Sequence, residues 1–335
     1  MPSVQTSDAH SSDAPSSDSS AGPRQRFVER WLDAPRVIFQ LTAVVLIAAT
    51  FTLLRVHKAV TPPPLADDPT PLGYTWSLLL FLLPLLYLVV WFVLHPEYRV
   101  QRKALLVTLG ILLPLGFVLD LLFANTFFVF LNTGAVLGVE VPGVGGGIPV
   151  EEFVFYLSGF FFVLLLYIWS DEVWMDRYHL SHSAPEYRNV MPRIRFHGRS
   201  VIVALVLLAL AVLYKKLLSA DPEGFPWYWT YLLAAAFVPS AGFFRTARPF
   251  INWRAFSFTF LLVLLISLLW EASLASPYQW WGYQPEAMTG IFVTAWSRLP
   301  LEAVFVWLAV TYTTVIVYEV MILFLLQRDR AGETR

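Results

Sequence analysis

Residues 148–169 read IPVEEFVFYLSGFFFVLLLYIW: a proline at 149, carboxylates at Glu151 and Glu152, then no charged group before Trp169. A helix needs about 20 predominantly apolar residues to cross a ~30 Å hydrocarbon core, and this run supplies them. Proline at the first helical position loses no hydrogen bond, because its N–H would be unpaired there anyway. Carboxylates in the first turn are favoured by the helix dipole. The stretch therefore reads as a membrane-spanning helix entered through two acids, and it sets the fold class as an all-α polytopic membrane protein.

The rest of the chain agrees. Of 335 residues, 57% are hydrophobic and 14% charged, with a mean hydropathy of +0.61; a soluble chain carries closer to ~25% charged residues. Net charge is −1, which gives no reason to expect nucleic acid as a partner. The absence of cysteine excludes disulfides, thiolate metal sites and cysteine nucleophiles. Further apolar runs lie near 37–54, 76–94, 104–119, 200–217, 227–244, 255–270 and 300–326, so about eight transmembrane helices are expected. The apolar segment 121–138 is interrupted by Asn125, Asn132, Gly134 and Gly138, and reads as a lid or re-entrant loop.

Residues 1–35 read as a disordered, Ser-rich cytoplasmic tail, because so few apolar groups cannot bury enough surface to fold. The first apolar run starts late and is long, which reads as an uncleaved span rather than a signal peptide. With both termini placed in the cytoplasm, 18 of the 23 Lys and Arg fall on that side. That bias follows the positive-inside rule, so the orientation is N-in and C-in.

A shift of 151 residues aligns the chain with itself. Pro71, Gly73 and Trp76 meet Pro222, Gly224 and Trp227; Asp120 meets Glu271; Pro149-Val150-Glu151 meets Pro300-Leu301-Glu302; Tyr167 meets Tyr318. One indel, where Gly138 meets Gly290, is needed. The expected organisation is two parallel four-helix repeats, 36–170 and 200–326, joined by a cytoplasmic linker 171–199 and followed by a cytoplasmic tail 327–335. An even number of spans per repeat gives both the same polarity.

Asp120 and Glu271 are expected to close the third helix of each repeat, and Glu151 and Glu302 to begin the fourth. Pro-x-Glu is also an ordinary helix start. Its recurrence, the doubling to Glu151-Glu152, and a second acid on the same membrane side favour a site, since ionisable groups in a membrane are rarely retained without a partner or a function. Of two carboxyl groups in a poorly hydrated site, one stays protonated and can serve as a general acid. Helical spacing puts Glu152, Phe155 and Tyr156 on one face, with Glu151 pointing aside. Aromatic residues cluster nearby. They fit an interfacial belt, or a lining that stabilises a carbocation, for which Trp270 beside Glu271 and Trp307 opposite Tyr156 in the repeat are the best placed. The residues 143–147 lack the strand and spacing of a dinucleotide fingerprint. His179 and His182 read as solvated, and Asp67-Asp68 lacks the spacing of magnesium-binding prenyl-transfer motifs, so no metal and no cofactor are expected. Glu319 either lines a cavity or snorkels to the cytoplasm.

These motifs resemble the membrane-integral lycopene β-cyclase family, which occurs as heterodimers or fused chains in bacteria and archaea and as one domain of fungal bifunctional enzymes. Ile148-Pro149-Val150-Glu151-Glu152-Phe153-Val154-Phe155 is similar to its Pro-Leu-Glu-Glu-x-x-Phe-Phe pattern; Leu299-Pro300-Leu301-Glu302-Ala303 departs from it at Ala303, and Trp270-Glu271 stands where Trp-Asp is usual. The resemblance implies protonation of a terminal double bond of a linear carotenoid, carbocation cyclisation and deprotonation to a β-ionone ring, with no redox change. It implies Glu151, Glu152 and Glu302 as acid candidates, Asp120 and Glu271 as tuning or proton-accepting groups, and Phe155, Tyr156, Trp270, Trp281, Trp307, Tyr167 and Tyr318 as substrate contacts. The implied partners are a membrane-embedded linear carotenoid, the lipid bilayer and carotenoid-pathway enzymes, and the implied location is a bacterial or archaeal cell membrane. Another terpenoid cyclase or hydratase, or a proton-coupled transporter, are the alternatives.

Overall fold

The computed structural model describes residues 70–98, 100–176 and 193–333. The Ser-rich tail, the span at 37–54, Asp67-Asp68 and the segment with His179 and His182 lie outside the described residues.

Among the described residues, six helices are long and apolar enough to cross a membrane. They are α1 (Gly73–Leu94), α2 (Arg102–Phe127), α3 (Val150–Trp174), α4 (Arg199–Leu217), α6 (Trp253–Ala275) and α7 (Leu301–Arg330, continuing to Glu333). Between α4 and α6 runs the broken helix α5: Trp227–Leu232, a π turn at Leu233–Phe237, and Val238–Ala247. Its break has a local cause. Pro239 has no N–H for the Ala235 carbonyl one turn back, and the Ser240 and Thr313 hydroxyls donate to the neighbouring Ala236 carbonyl, at 2.5 and 3.3 Å.

The helices sort by burial. Over half of the apolar window of α3 and α7 is buried (56% each), against 22% for α4. α3 packs on α1, α2, α6 and α7, and α7 also meets α2, α5 and α6. Outer helices turn Leu, Val and Ile outward along their full length, as at Leu83, Leu86 and Val93 of α1 and Ile202, Leu205 and Leu210 of α4. Apolar side chains all round a helix are what a hydrocarbon solvent selects. This is an all-α membrane architecture.

Short antiparallel ribbons cap one end of the bundle. β2 (Glu140–Gly143) pairs with β3 (Gly146–Pro149), and β5 (Phe292–Val293) with β6 (Leu299–Pro300). β1 (Phe128–Val129) pairs with β4 (Gly282–Tyr283), aligning Phe128 with Tyr283. Segment 121–138 is thus helix and then ribbon, not a re-entrant loop. Four helix ends differ from expectation. α2 continues past Asp120 to Phe127, because Leu121–Ala124 stays apolar and the Asn125 amide ties back to the Val144 and Gly146 carbonyls. α6 continues past Glu271 through a π turn to Ala275. Asp120 and Glu271 therefore lie within helices rather than closing them. Pro149 is the residue before the helix, with the extended ψ of 139° that ends a strand, rather than the first helical residue. α7 also extends through 327–333, where a tail is expected.

Candidate active site

At the ribbon-capped end, α1, α3, α6 and α7 line a small cavity of about 60 Å³. α3 contributes Glu152, Phe155 and Tyr156, which share a face as their spacing requires. α6 contributes Trp270 and Glu271, and α7 contributes Trp307. Tyr74 comes from the first turn of α1, and Trp281 and Tyr283 from the chain after α6. The β1–β4 pairing fixes Tyr283 beside Phe128, with ring centroids 5.6 Å apart.

The two carboxylates in the wall are held differently. Glu271 accepts from the Tyr283 hydroxyl at 2.5 Å on one oxygen and from the Trp307 indole N–H at 2.9 Å on the other. Burial, together with the adjacent Glu271, holds the Tyr283 phenol well above its usual pKa, so it remains a donor. A carboxylate with a donor on each oxygen is stabilised in its charged form. Glu152 accepts from the Tyr74 hydroxyl at 2.5 Å on Oε1 alone. Its Oε2 has no hydrogen bond among the described residues, and the side chain borders the cavity. Asp120 is buried within electrostatic reach of Glu152 and Tyr156, and its Oδ2 has no hydrogen-bond partner among the described residues.

Rings make up most of the remaining wall. Trp270 and Trp281 have centroids 4.5 Å apart, Tyr74 and Trp281 4.8 Å, and Phe155 and Trp270 4.9 Å. The Trp270 indole donates to Ser77 Oγ at 2.7 Å, and that hydroxyl donates to the Tyr74 carbonyl at 2.6 Å, so the ring is fixed from behind. Faces of desolvated rings attract a cation by about 2 kcal/mol each.

Glu151 and Glu302 take another part. Glu151 accepts from the Leu137 N–H at 2.8 Å and from the Thr75 hydroxyl at 2.6 Å; Glu302 accepts from the Thr289 N–H at 2.6 Å. Each tethers the loop before its own helix, and neither lines the cavity. Ala303, fully buried, follows Glu302 where Glu152 follows Glu151.

Tyr167 and Tyr318 are not in the cavity wall. Tyr167 lies eleven residues beyond Tyr156, about 16 Å further along the helix. Its hydroxyl donates to Glu319 at 2.9 Å and accepts from the Asn252 N–H at 3.2 Å, and its ring packs on Tyr318. Glu319 is fully buried in this cluster, neither at the acid cavity nor snorkelled outward. Tyr74 and Tyr228 line the cavity without having been singled out from sequence. Tyr74 follows Gly73, one of the repeat landmarks, and meets Phe225 under the 151-residue shift, so its hydroxyl has no counterpart in the other half. No protein-family model, curated protein or solved structure matches this chain.

Proposed function

We propose that the chain is a membrane cyclase of a linear carotenoid, of the lycopene β-cyclase type. One observation carries this reading: a single cavity in an apolar bundle holds Glu152 and Glu271 in a wall of aromatic rings. Glu152 in its acid form donates its proton from Oε2 to C2 of the terminal C1=C2 bond, leaving a tertiary cation at C1. The C5=C6 pair closes the C1–C6 bond and moves the cation to C5, within reach of the faces of Trp270, Trp281 and Trp307. Loss of the C6 proton to Glu271 restores C5=C6 within the new ring. Transfer of that proton back to Glu152 completes the cycle, with no change of composition or oxidation state. Asp120 tunes the pair from behind Tyr156. The ring-lined wall supports cation chemistry over a polar transport route.

The organisation as eight spans in two parallel repeats, with both termini in the cytoplasm of a bacterial or archaeal cell, belongs to the same proposal. Paired details support the repeat: φ of 75° at Gly138 and 87° at Gly290, a short 3-10 turn at both Thr133–Ala135 and Pro285–Ala287, and the two loop-tethering acids Glu151 and Glu302.

Product analysis in a bacterial host that accumulates lycopene tests the reading. Ring-bearing carotenes should form with the wild type and vanish with Glu152→Gln at equal membrane levels. Unchanged lycopene beside well-expressed wild-type protein would remove cyclisation of that substrate.

A further inference from the structure

Two more voids follow the acid cavity: one of about 50 Å³ beside it, and beyond that one of about 540 Å³. They adjoin through shared walls. The smaller shares Tyr156, Phe160 and Tyr228 with the acid cavity, and Leu232, Ala236 and Ala309 with the larger. They follow α5 from Tyr228 to Phe244, about 24 Å at roughly 1.5 Å per residue. Midway, Gly116, Ala235, Ala236 and Ala309 interrupt a wall otherwise built mainly of leucine, valine and tyrosine side chains. The π turn falls here. The hydroxyls it attracts are spoken for: Ser240 and Thr313 lie 2.8 Å apart and both serve the Ala236 carbonyl, which leaves hydrocarbon facing the void. The far chamber reaches lipid between α4 and α7, where Phe305 and Leu308 are each 37% exposed.

We propose that this passage holds the unreacted arm of the linear polyene whose end occupies the acid cavity, and that Ala236 and Ala309 determine how long an arm is accepted. The proposal rests on the cyclase reading for the identity of the ligand. The passage suits that ligand for physical reasons. A long polyene without functional groups needs a narrow apolar bore that continues from the reacting end, and it has no use for hydrogen-bond partners along the way. The length beyond the acid cavity is close to what remains of a C40 chain that nearly spans a ~30 Å hydrocarbon core.

The test compares wild type, Ala236→Phe and Ala309→Phe, purified in lipid discs, with lycopene and with a C20 acyclic polyene. Binding is read by quenching of tryptophan fluorescence and conversion by chromatography. Each buried methylene contributes about 0.8 kcal/mol, so a plugged bore should weaken lycopene binding by about tenfold or more. Lycopene conversion should fall in parallel, while C20 binding is retained. Retained C20 binding also reports that the acid end is folded, and the milder Ala236→Val and Ala309→Val should show the same order with smaller changes. Undiminished lycopene binding in both plugged variants would overturn the passage and leave cyclisation standing. Plug-sensitive binding of lycopene by a wild type that forms no ring would do the reverse. Absence of lycopene binding to the wild type would overturn the passage as well.

Discussion

The Tyr74 hydroxyl donates to Glu152 Oε1 at 2.5 Å, joining the first turns of two helices across 78 positions of sequence. The bond fixes which oxygen of Glu152 faces the cavity. Tyr74→Phe removes it while keeping the ring that packs on Trp281. A hydrogen bond to a charged group contributes about 1.5–3 kcal/mol, so turnover of the cyclised substrate should fall by roughly ten- to a hundredfold with little change in melting temperature. A loss of folding without a specific loss of rate would show that Tyr74 serves packing alone.

Glu151 and Glu152 are adjacent yet should separate cleanly. Glu152→Gln keeps the shape and removes the transferable proton; general acid catalysis contributes about 10²–10⁴-fold, and product formation should drop by that much. Glu151→Gln should retain most turnover and lower stability instead, because its carboxylate holds Leu137 and Thr75. Single-turnover assays beside melting curves separate the two. The reverse pattern would assign the acid to Glu151.

Trp307 stacks on Phe81, 5.8 Å between centroids and 8° between planes, while its indole N–H reaches Glu271. Trp307→Phe retains a ring but loses that donor and the larger π face. Removing the cation–π contribution of about 1–2 kcal/mol should slow turnover by about tenfold with substrate binding nearly unchanged. A pure binding defect would place the cation elsewhere.

Gly138 and Gly290, left-handed at matching positions of the two halves, make a stability pair. A Cβ at Gly138 meets nothing, so Gly138→Ala should cost only the left-handed backbone, about 1–2 kcal/mol. A Cβ at Gly290 collides with the Ser219 side chain. Gly290→Ala should therefore melt lower than Gly138→Ala, and adding Ser219→Ala should recover part of the difference.

How far the sequence could be read depended on the signal each feature leaves. Apolar length marked α1, α2, α3, α4, α6 and α7 well, because hydrocarbon sets both length and composition. The break in α5 was hidden, since Leu233–Phe237 is apolar and helix-compatible and the π turn depends on hydroxyls from Ser240 and Thr313. The face shared by Glu152, Phe155 and Tyr156 followed from helical spacing. That Glu151 and Glu302 tether loops did not, because a buried acid looks the same whether its partner is a backbone N–H or a substrate. Tyr167 and Tyr318 were drawn to the site by their match in the repeat, although their distance along the helix separates them from it. Tyr74 went unnoticed because one tyrosine at a span end looks like any interfacial ring.

Ala303 has one further consequence. On the proposed cyclase reading, a linear carotenoid presents two like ends to unlike halves, since Ala303 stands where Glu152 stands in the other half. The two ends must then be processed in sequence, and the once-cyclised molecule has to back out, reverse and re-engage. The balance of one-ringed and two-ringed products becomes a competition between re-engagement and diffusion away in the bilayer. That balance should shift with enzyme density in the membrane.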